Sequence, residues 1–213
     1  MATEVEAKFL ADGPGALERL AAADRLGRAS LGPPRAFDEV DRYLDTDDGR
    51  LAAAGWACRL RDRDGRLRVS LKGPAEAQAA DWLHHRPEVE APATDSLDPR
   101  AWPTSEARAL LDRLSGGRPL QERFRLVQRR TEREVELDGA HLGTLSLDSV
   151  AVVGDGVRDA GTLFAVELEL QQAGDAVALG SLAELGDALA RQPGLEPDGR
   201  TKLEHAVALL AVG

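Results

Sequence analysis

Several segments of this 213-residue chain alternate between charged and apolar residues, and that alternation constrains the fold more than any other feature. Residues 4–10 read Glu-Val-Glu-Ala-Lys-Phe-Leu, with Glu4, Glu6 and Lys8 on one face and Val5, Ala7 and Phe9 on the other. A period of two is the signature of a β-strand. The stretches 56–61 and 66–72 set Arg59, Arg61, Ser70 and Lys72 against Cys58, Leu60, Val69 and Leu71, on either side of an Arg63-Asp64-Gly65 hairpin turn. Residues 82–91 carry Arg86, Glu88 and Glu90 opposite Val89, and 163–171 carry Glu167 and Glu169 opposite Val166, Leu168 and Leu170. These polar faces are full charges, with few of the Thr residues that favour a solvated sheet face.

One such strand alone belongs at a surface, with its charges in water. Together they call for another arrangement, because three Glu-x-Glu pairs crowded onto one sheet face repel one another. A divalent metal is the simplest compensation, and paired carboxylates suit Mg²⁺ or Mn²⁺. The basic residues Lys8, Arg59, Arg61, Lys72, Arg130 and Lys202 suit phosphates, with arginine supplying a bidentate fork. Carboxylates for a metal beside cations for phosphate amount to a polyphosphate site. Bent round on itself, the sheet becomes a barrel with a charged lumen, its apolar faces turned outward under helices.

The rest of the chain supplies the other elements. Strands are expected at 37–44, 120–127, 130–137 and 142–150, the last two joined across Asp138-Gly139. Helices are expected at 16–23, 106–114 behind a Thr104-Ser105-Glu106 cap, 182–190 and about 203–211, with one helical turn at 51–54. Residues 73–80 read as an Ala-rich connection, 92–103 as loop and 154–161 as a Gly/Asp-rich turn. Trp56, Trp82 and Trp102 read as cover for the barrel exterior, and Cys58 as a small buried apolar residue.

Composition narrows the function. With 37 acidic against 27 basic residues the net charge is −10, a poor match for a general nucleic-acid binder. A single cysteine excludes an internal disulfide and multi-cysteine metal centres, and His84, His85, His141 and His205 show no ligand spacing. Residues 1–8 lack an apolar signal-peptide core, and the longest apolar run, 206–212, is too short for a bilayer. The expectation is a soluble, cytoplasmic protein with neither nucleic-acid nor membrane partners.

The ordered set of motifs resembles the CYTH, or triphosphate tunnel metalloenzyme, superfamily. Glu4-Val5-Glu6-Ala7-Lys8 is similar to its ExExK signature, Tyr43-Leu44-Asp45-Thr46 to its tyrosine/Asp-Thr element, and Arg59-Leu60-Arg61 to its R-x-R strand. Leu71-Lys72-Gly73 resembles its lysine strand, Arg86-Pro87-Glu88-Val89-Glu90 its second acidic strand, and Arg129-Arg130-Thr131 a basic strand. Asp148-Ser149-Val150, Val166-Glu167-Leu168-Glu169 and Thr201-Lys202 complete the series, over about residues 3–210. Gln128 departs from it, standing where many members have a basic residue, and His84 and His85 have no family role.

The resemblance implies one CYTH domain over 1–213, most similar to that of bacterial inorganic triphosphatases. The fold expected is α+β, an eight-stranded antiparallel β-barrel with a charged lumen and helices packed outside. The metal ligands implied are Glu4, Glu6, Asp148, Glu167 and Glu169, holding Mg²⁺ or Mn²⁺, with Glu88 and Glu90 as supporting acids. Substrate contacts fall to Lys8, Arg59, Arg61, Lys72, Arg130 and Lys202, and the catalytic roles to Glu4, Glu6 and Lys8, the last orienting or deprotonating the attacking water. The expected reaction is metal-dependent hydrolysis of a triphosphate, most simply inorganic tripolyphosphate, to phosphate and diphosphate. Class IV adenylate cyclase and thiamine triphosphatase are the family alternatives. A non-catalytic polyphosphate- or nucleotide-binding module is the alternative of another class. Monomer and homodimer are both open.

Overall fold

Alternating strands with one charged face enclose that face here by closing into a barrel. A computed structural model describes residues 2–75, 80, 82–154, 157–172 and 176–212, with the side chains of 157–159 also outside the described set. In chain order the elements are β1 (Ala2–Ala11), α1 (Pro14–Ala22), β2 (Arg25–Leu26), β3 (Ala29–Leu31), β4 (Arg35–Thr46), α2 (Arg50–Ala53), β5 (Ala57–Arg63) and β6 (Arg66–Lys72). They continue with β7 (Leu83–Pro92), α3 (Glu106–Ser115), β8 (Leu120–Leu137), β9 (Ala140–Gly154), β10 (Val157–Leu170), α4 (Ala176–Ala190), β11 (Leu195–Pro197) and α5 (Lys202–Leu210).

Eight strands pair antiparallel in the cyclic order β8-β4-β5-β6-β7-β1-β10-β9, and β9 returns to β8, so the barrel is closed. The fold is α+β, as expected, with five helices among the described residues. The short β2–β3 hairpin extends the edge of β8, and β11 pairs with the end of β1 that β7 leaves free. No helix among the described residues is long and apolar enough to cross a membrane.

Two hairpin turns carry positive φ at both central residues, Asp64 and Gly65 (53° and 74°) and Asp138 and Gly139 (52° and 79°). That is the primed turn whose twist matches the flanking strands. Gly143 has a different reason: a Cβ there would meet the Glu169 carbonyl at 2.0 Å.

The outward faces form two apolar layers. Val5, Ala7 and Phe9 of β1, with Val166 and Leu168 of β10, pack under Leu17 and Leu20 of α1 and Leu182, Leu185 and Leu189 of α4. Leu60, Val69, Leu71 and Val89 pack under Leu51 of α2, Trp102, and Ala107 and Leu111 of α3. Each fully buried Leu or Val contributes about 1.5–3 kcal/mol. Trp102 is buried here with its indole N–H on the Ser96 carbonyl, and Trp56 and Trp82 pack at the edges of the two layers. Cys58 is buried as expected, and burial pushes its thiol up to about 12, with Asp45 adding to the shift.

The third cluster lies on the inward parity. Val150 and Val152 share the face of Asp148, and Leu163 and Ala165 share the face of Glu167. With Tyr43, Phe124 and Leu126 they meet Leu203, Ala206, Leu209 and Leu210 of α5. Part of the barrel interior is therefore apolar, and α5 covers it.

Three differences from the sequence reading have local causes. Residues 120–137 form one strand rather than two, because Gln128 and Arg129 continue the alternation. The β2–β3 hairpin and β11 are too short to show a period. Pro99–Ala101 form a 3₁₀ turn inside the expected loop, capped by the Asp98 side chain on the Arg100 N–H. The connection at 73–80 and the turn at 154–161 fall partly outside the described residues.

Candidate active site

β-strand parity sends charged residues of β1, β5–β8 and β10 into one cavity of about 600 Å³. Glu4, Lys8, Arg59, Arg130, Glu169 and Lys202 all line it. Glu6 and Asp148 lie behind that lining, buried and held by cations.

Every predicted cation is already paired with a carboxylate. Lys72 hydrogen-bonds Glu4 and stands 3.3 Å from Glu88. Arg86 spans Glu4 at 2.7 Å and Glu6 at 3.0 Å. Arg130 forks onto Asp148 at 2.8 and 2.7 Å and reaches Glu167 at 3.1 Å. Lys202 donates to Asp148 at 2.6 Å and Glu167 at 2.7 Å. Arg61 forks onto Asp41 at 2.6 and 2.7 Å.

Lys8 and Arg59 are held more loosely. Lys8 lies 3.7 Å from Glu6 and 3.5 Å from Glu167, beyond hydrogen-bond distance. Arg59 lies 3.6 Å from Asp41 and 3.7 Å from Glu90, donates only to Ser70 at 3.3 Å, and its buried Nε has no partner. These two side chains have donors in reserve for an incoming anion.

The ion pairs set the protonation states. Burial alone would raise Glu4, but Lys72 and Arg86 outweigh it and hold the carboxyl well below its usual range. Burial likewise opposes the lowering of Asp148 by Arg130 and Lys202, and of Glu167 by Lys202, Lys8 and Arg130. Burial would lower Arg59, yet Asp41, Tyr43, Glu88 and Glu90 raise it. Two carboxyls go the other way. Glu88 is raised by burial and Glu4 against Lys72, and Glu169, whose side chain is exposed on the cavity, is pushed up to about 7 by partial desolvation first and then by Glu4.

The Glu169 side chain makes no hydrogen bond or ion pair with the described residues. Its carboxylate converges with those of Glu4 and Glu88, with oxygens all within 4.8 Å of one another. Three oxygen ligands at that spacing fit a hard divalent cation such as Mg²⁺ or Mn²⁺. Glu88, which the sequence made a supporting acid, thus joins the cluster. Glu6, Asp148 and Glu167 stand in the ion pairs with Arg86, Arg130 and Lys202 instead.

Sequence reasoning missed Glu39, Asp41, Arg63 and Glu132. Glu39 and Asp41 are buried on the inward face of β4. Arg63 bridges Glu39 and Glu132 and lies over the Phe37 ring at 4.4 Å. The signal was present as Glu39-x-Asp41-x-Tyr43, but Asp38 and Arg42 on the outward face blur it. Gln128 belongs to this group: its Nε2 donates to Glu39 and Asp41, while its buried Oε1 has no partner. Tyr43 stacks on Phe124 at 4.8 Å. Asp45 takes the N–H groups of Thr46, Leu51 and Ala52, which explains the Asp-Thr element as the start of α2.

Fold and lumen together define a class: closed β-tunnels whose interior is a lattice of carboxylates and cations. A family profile described as the CYTH domain matches residues 2–200, and the chain belongs to that family. Among solved structures, a candidate adenylyl cyclase from Hippeastrum, described as having a dominant triphosphatase activity, aligns with a TM-score of 0.68 at 21% identity, covering 96% of this chain and 95% of its own. A candidate adenylate cyclase from Bacillus halodurans aligns with a TM-score of 0.61 at 19% identity, covering 96% and 98%. A protein from Pyrococcus horikoshii gives 0.59 at 18%, covering 95% and 98%. At these identities the likeness is one of fold. A search of curated proteins returns no significant match.

Substituting Arg59 tests the loosely held donor directly. Losing one charge-assisted contact in the transition state costs roughly 1.5–3 kcal/mol, about 10- to 150-fold. Arg59→Ala is expected to lower kcat/KM on a triphosphate by that order with an unchanged melting temperature. Wild-type kinetics in this variant would place Arg59 outside the reaction.

Proposed function

We propose that this chain hydrolyses a triphosphate, with inorganic tripolyphosphate as the preferred substrate, to phosphate and diphosphate. The observation that carries the reading is the cavity itself: an unpaired glutamate converging with two others, beside Lys8 and Arg59 with donors in reserve. The triphosphatase activity described for the Hippeastrum protein supports it.

The residues divide the work. Glu4, Glu88 and Glu169 would hold Mg²⁺ or Mn²⁺, with Glu6, Asp148 and Glu167 as further carboxylates that exchange ion pairs for ligand contacts. Once bound, the cation supplies Lewis-acid polarisation of phosphate oxygens and acidifies a water. Arg59, Arg61, Lys72, Arg130 and Lys202 receive the non-bridging oxygens and offset the charge that shifts during transfer. Lys8, between Glu6 and Glu167, orients the attacking water. Each phosphate contact replaces a carboxylate contact, so cation binding and substrate binding assist each other.

The test is a panel of substrates with Mn²⁺: tripolyphosphate, ATP and thiamine triphosphate, with phosphate and cyclic AMP both measured. Phosphate release fastest from tripolyphosphate, without cyclic AMP, is expected. Equal or faster turnover of ATP or thiamine triphosphate would move the substrate assignment. Cyclic AMP would make the chain a cyclase. Binding without turnover would make it a non-catalytic module.

A further inference from the structure

The C-terminal segment lines the cavity with Thr201 and Lys202, and it is tied to the barrel by one aspartate that takes no part in that lining. Between the end of β11 and the start of α5, the Asp198 N–H donates to the Lys8 carbonyl at 3.0 Å. The Asp198 carbonyl accepts from His84 Nε2 at 2.7 Å. A carbonyl only accepts, so His84 carries its proton on Nε2. The Asp198 carboxylate takes His205 Nε2 at 2.9 and 3.0 Å and the Arg200 N–H at 2.9 Å. Asp198 is 6% exposed and His84 5%. One residue thus joins β1 at the backbone of Lys8, β7 at His84 and α5 at His205.

What this junction seats is Lys202. Thr201 opens α5 with a capping box to Glu204, and Lys202 follows as the first helical residue. Its ammonium is inserted between Asp148 and Glu167. The apolar side of α5 holds the helix against the interior, but Leu and Ala contacts alone tolerate sliding and rotation. Directional hydrogen bonds within a buried polar network specify a single arrangement.

We propose that Asp198 is a positioning residue of the site. Through His205 and His84 it sets the register of α5, and so places Lys202 on the Asp148–Glu167 pair and the Lys8 strand beside it. The kinetic arm of this inference rests on the triphosphatase reading above; its second arm does not.

The kinetic arm is a double-mutant cycle with tripolyphosphate and Mn²⁺. Asp198→Ala is expected to lower kcat/KM at least about tenfold, and Asp198→Ala with Lys202→Ala to fall no further than Lys202→Ala alone, within about threefold. Asp198→Asn keeps an acceptor for His205 and should recover most of the loss. The second arm is amide hydrogen exchange. Asp198→Ala should speed exchange across 202–210 with the β1 and β10 walls unchanged, and Asp198→Asn should not. If Asp198→Ala does not fold, His205→Ala removes the helix-side partner and is expected to give the same exchange pattern. Multiplying losses in the cycle, or wild-type exchange in α5, would overturn the proposal. If the wild type fails to turn over tripolyphosphate, the functional reading falls and the exchange pattern alone decides the positioning role.

Discussion

Glu169→Gln is expected to remove most of the activity while leaving the metal-free protein as stable as wild type or more stable. The substitution keeps the shape and takes one charge from a cluster of three carboxylates. Losing one of three cation ligands should lower kcat/KM at least about 100-fold, roughly 2.7 kcal/mol of barrier. It should also remove most of the rise in melting temperature that Mn²⁺ produces, because ligand-induced stability follows affinity. The Glu169 side chain opens on the cavity, so solvent screens part of the repulsion and the apo gain stays within about 1 kcal/mol.

The pH dependence has a definite sign. Partial desolvation first, and then Glu4, Glu6 and Glu88 against Lys72, raise the Glu169 carboxyl from 4.5 to about 7. The folded, metal-free protein therefore holds a proton that the unfolded chain has released. This group favours folding at the acid end, and that contribution is lost as pH rises from 4.5 through about 7. Mn²⁺ competes with the same proton, so its stabilising effect should weaken below about pH 7 in the wild type. Melting curves with and without Mn²⁺ across that range read both effects. A variant with full activity and the full Mn²⁺ shift would remove Glu169 from the site.

The largest loss of stability is expected at Arg133, which makes no contact in the lumen. Its guanidinium, 4% exposed, donates to the Leu20, Ala21 and Ala23 carbonyls at the end of α1 and to those of Leu31 and Gly32 at the end of β3. A cation at a helix C-terminus also complements the helix dipole. Arg133→Ala leaves several buried carbonyls without a donor, at about 1–3 kcal/mol for each that water cannot reach. A total of about 3 kcal/mol or more is expected, lowering the melting temperature by roughly 6–12 °C. Lysine cannot replace a five-donor fork, so Arg133→Lys should recover little. Arg129, exposed and paired with Asp38, is the control: its alanine variant should stay within about 0.5 kcal/mol. A wild-type melt for Arg133→Ala would show that the α1 terminus is satisfied by other means.

The contrast between Arg130 and Arg133 shows how the sequence could be read and where it fell short. Strand parity sorts the polar residues of β8, with Gln128, Arg130 and Glu132 inward and Arg129 and Arg133 outward. That sorting needs 120–137 to be one strand, and reading two strands hid it. The barrel itself was legible because β1, β5, β6 and β10 alternate cleanly. Glu39 and Asp41 were not, because the outward face of β4 is charged as well. The role of Asp198 was out of reach: its partners His84 and His205 come together only through the β11–β1 pairing, a three-residue strand without periodicity. Glu4, Glu6, Asp148, Glu167 and Glu169 were read as one ligand set. The geometry leaves only Glu169 without a cation partner: Glu4 converges with it while paired to Lys72 and Arg86, and Glu6, Asp148 and Glu167 are neutralised by Arg86, Arg130, Lys8 and Lys202, a distinction that needs coordinates.

Turnover of a triphosphate in the lumen should require a divalent cation. Phosphate release from tripolyphosphate by the wild-type protein in Mn²⁺, followed after addition of excess EDTA and again after Mn²⁺ is restored, tests it most directly. Turnover is expected to stop with EDTA and to return with Mn²⁺. Turnover that continues unchanged in EDTA would contradict it.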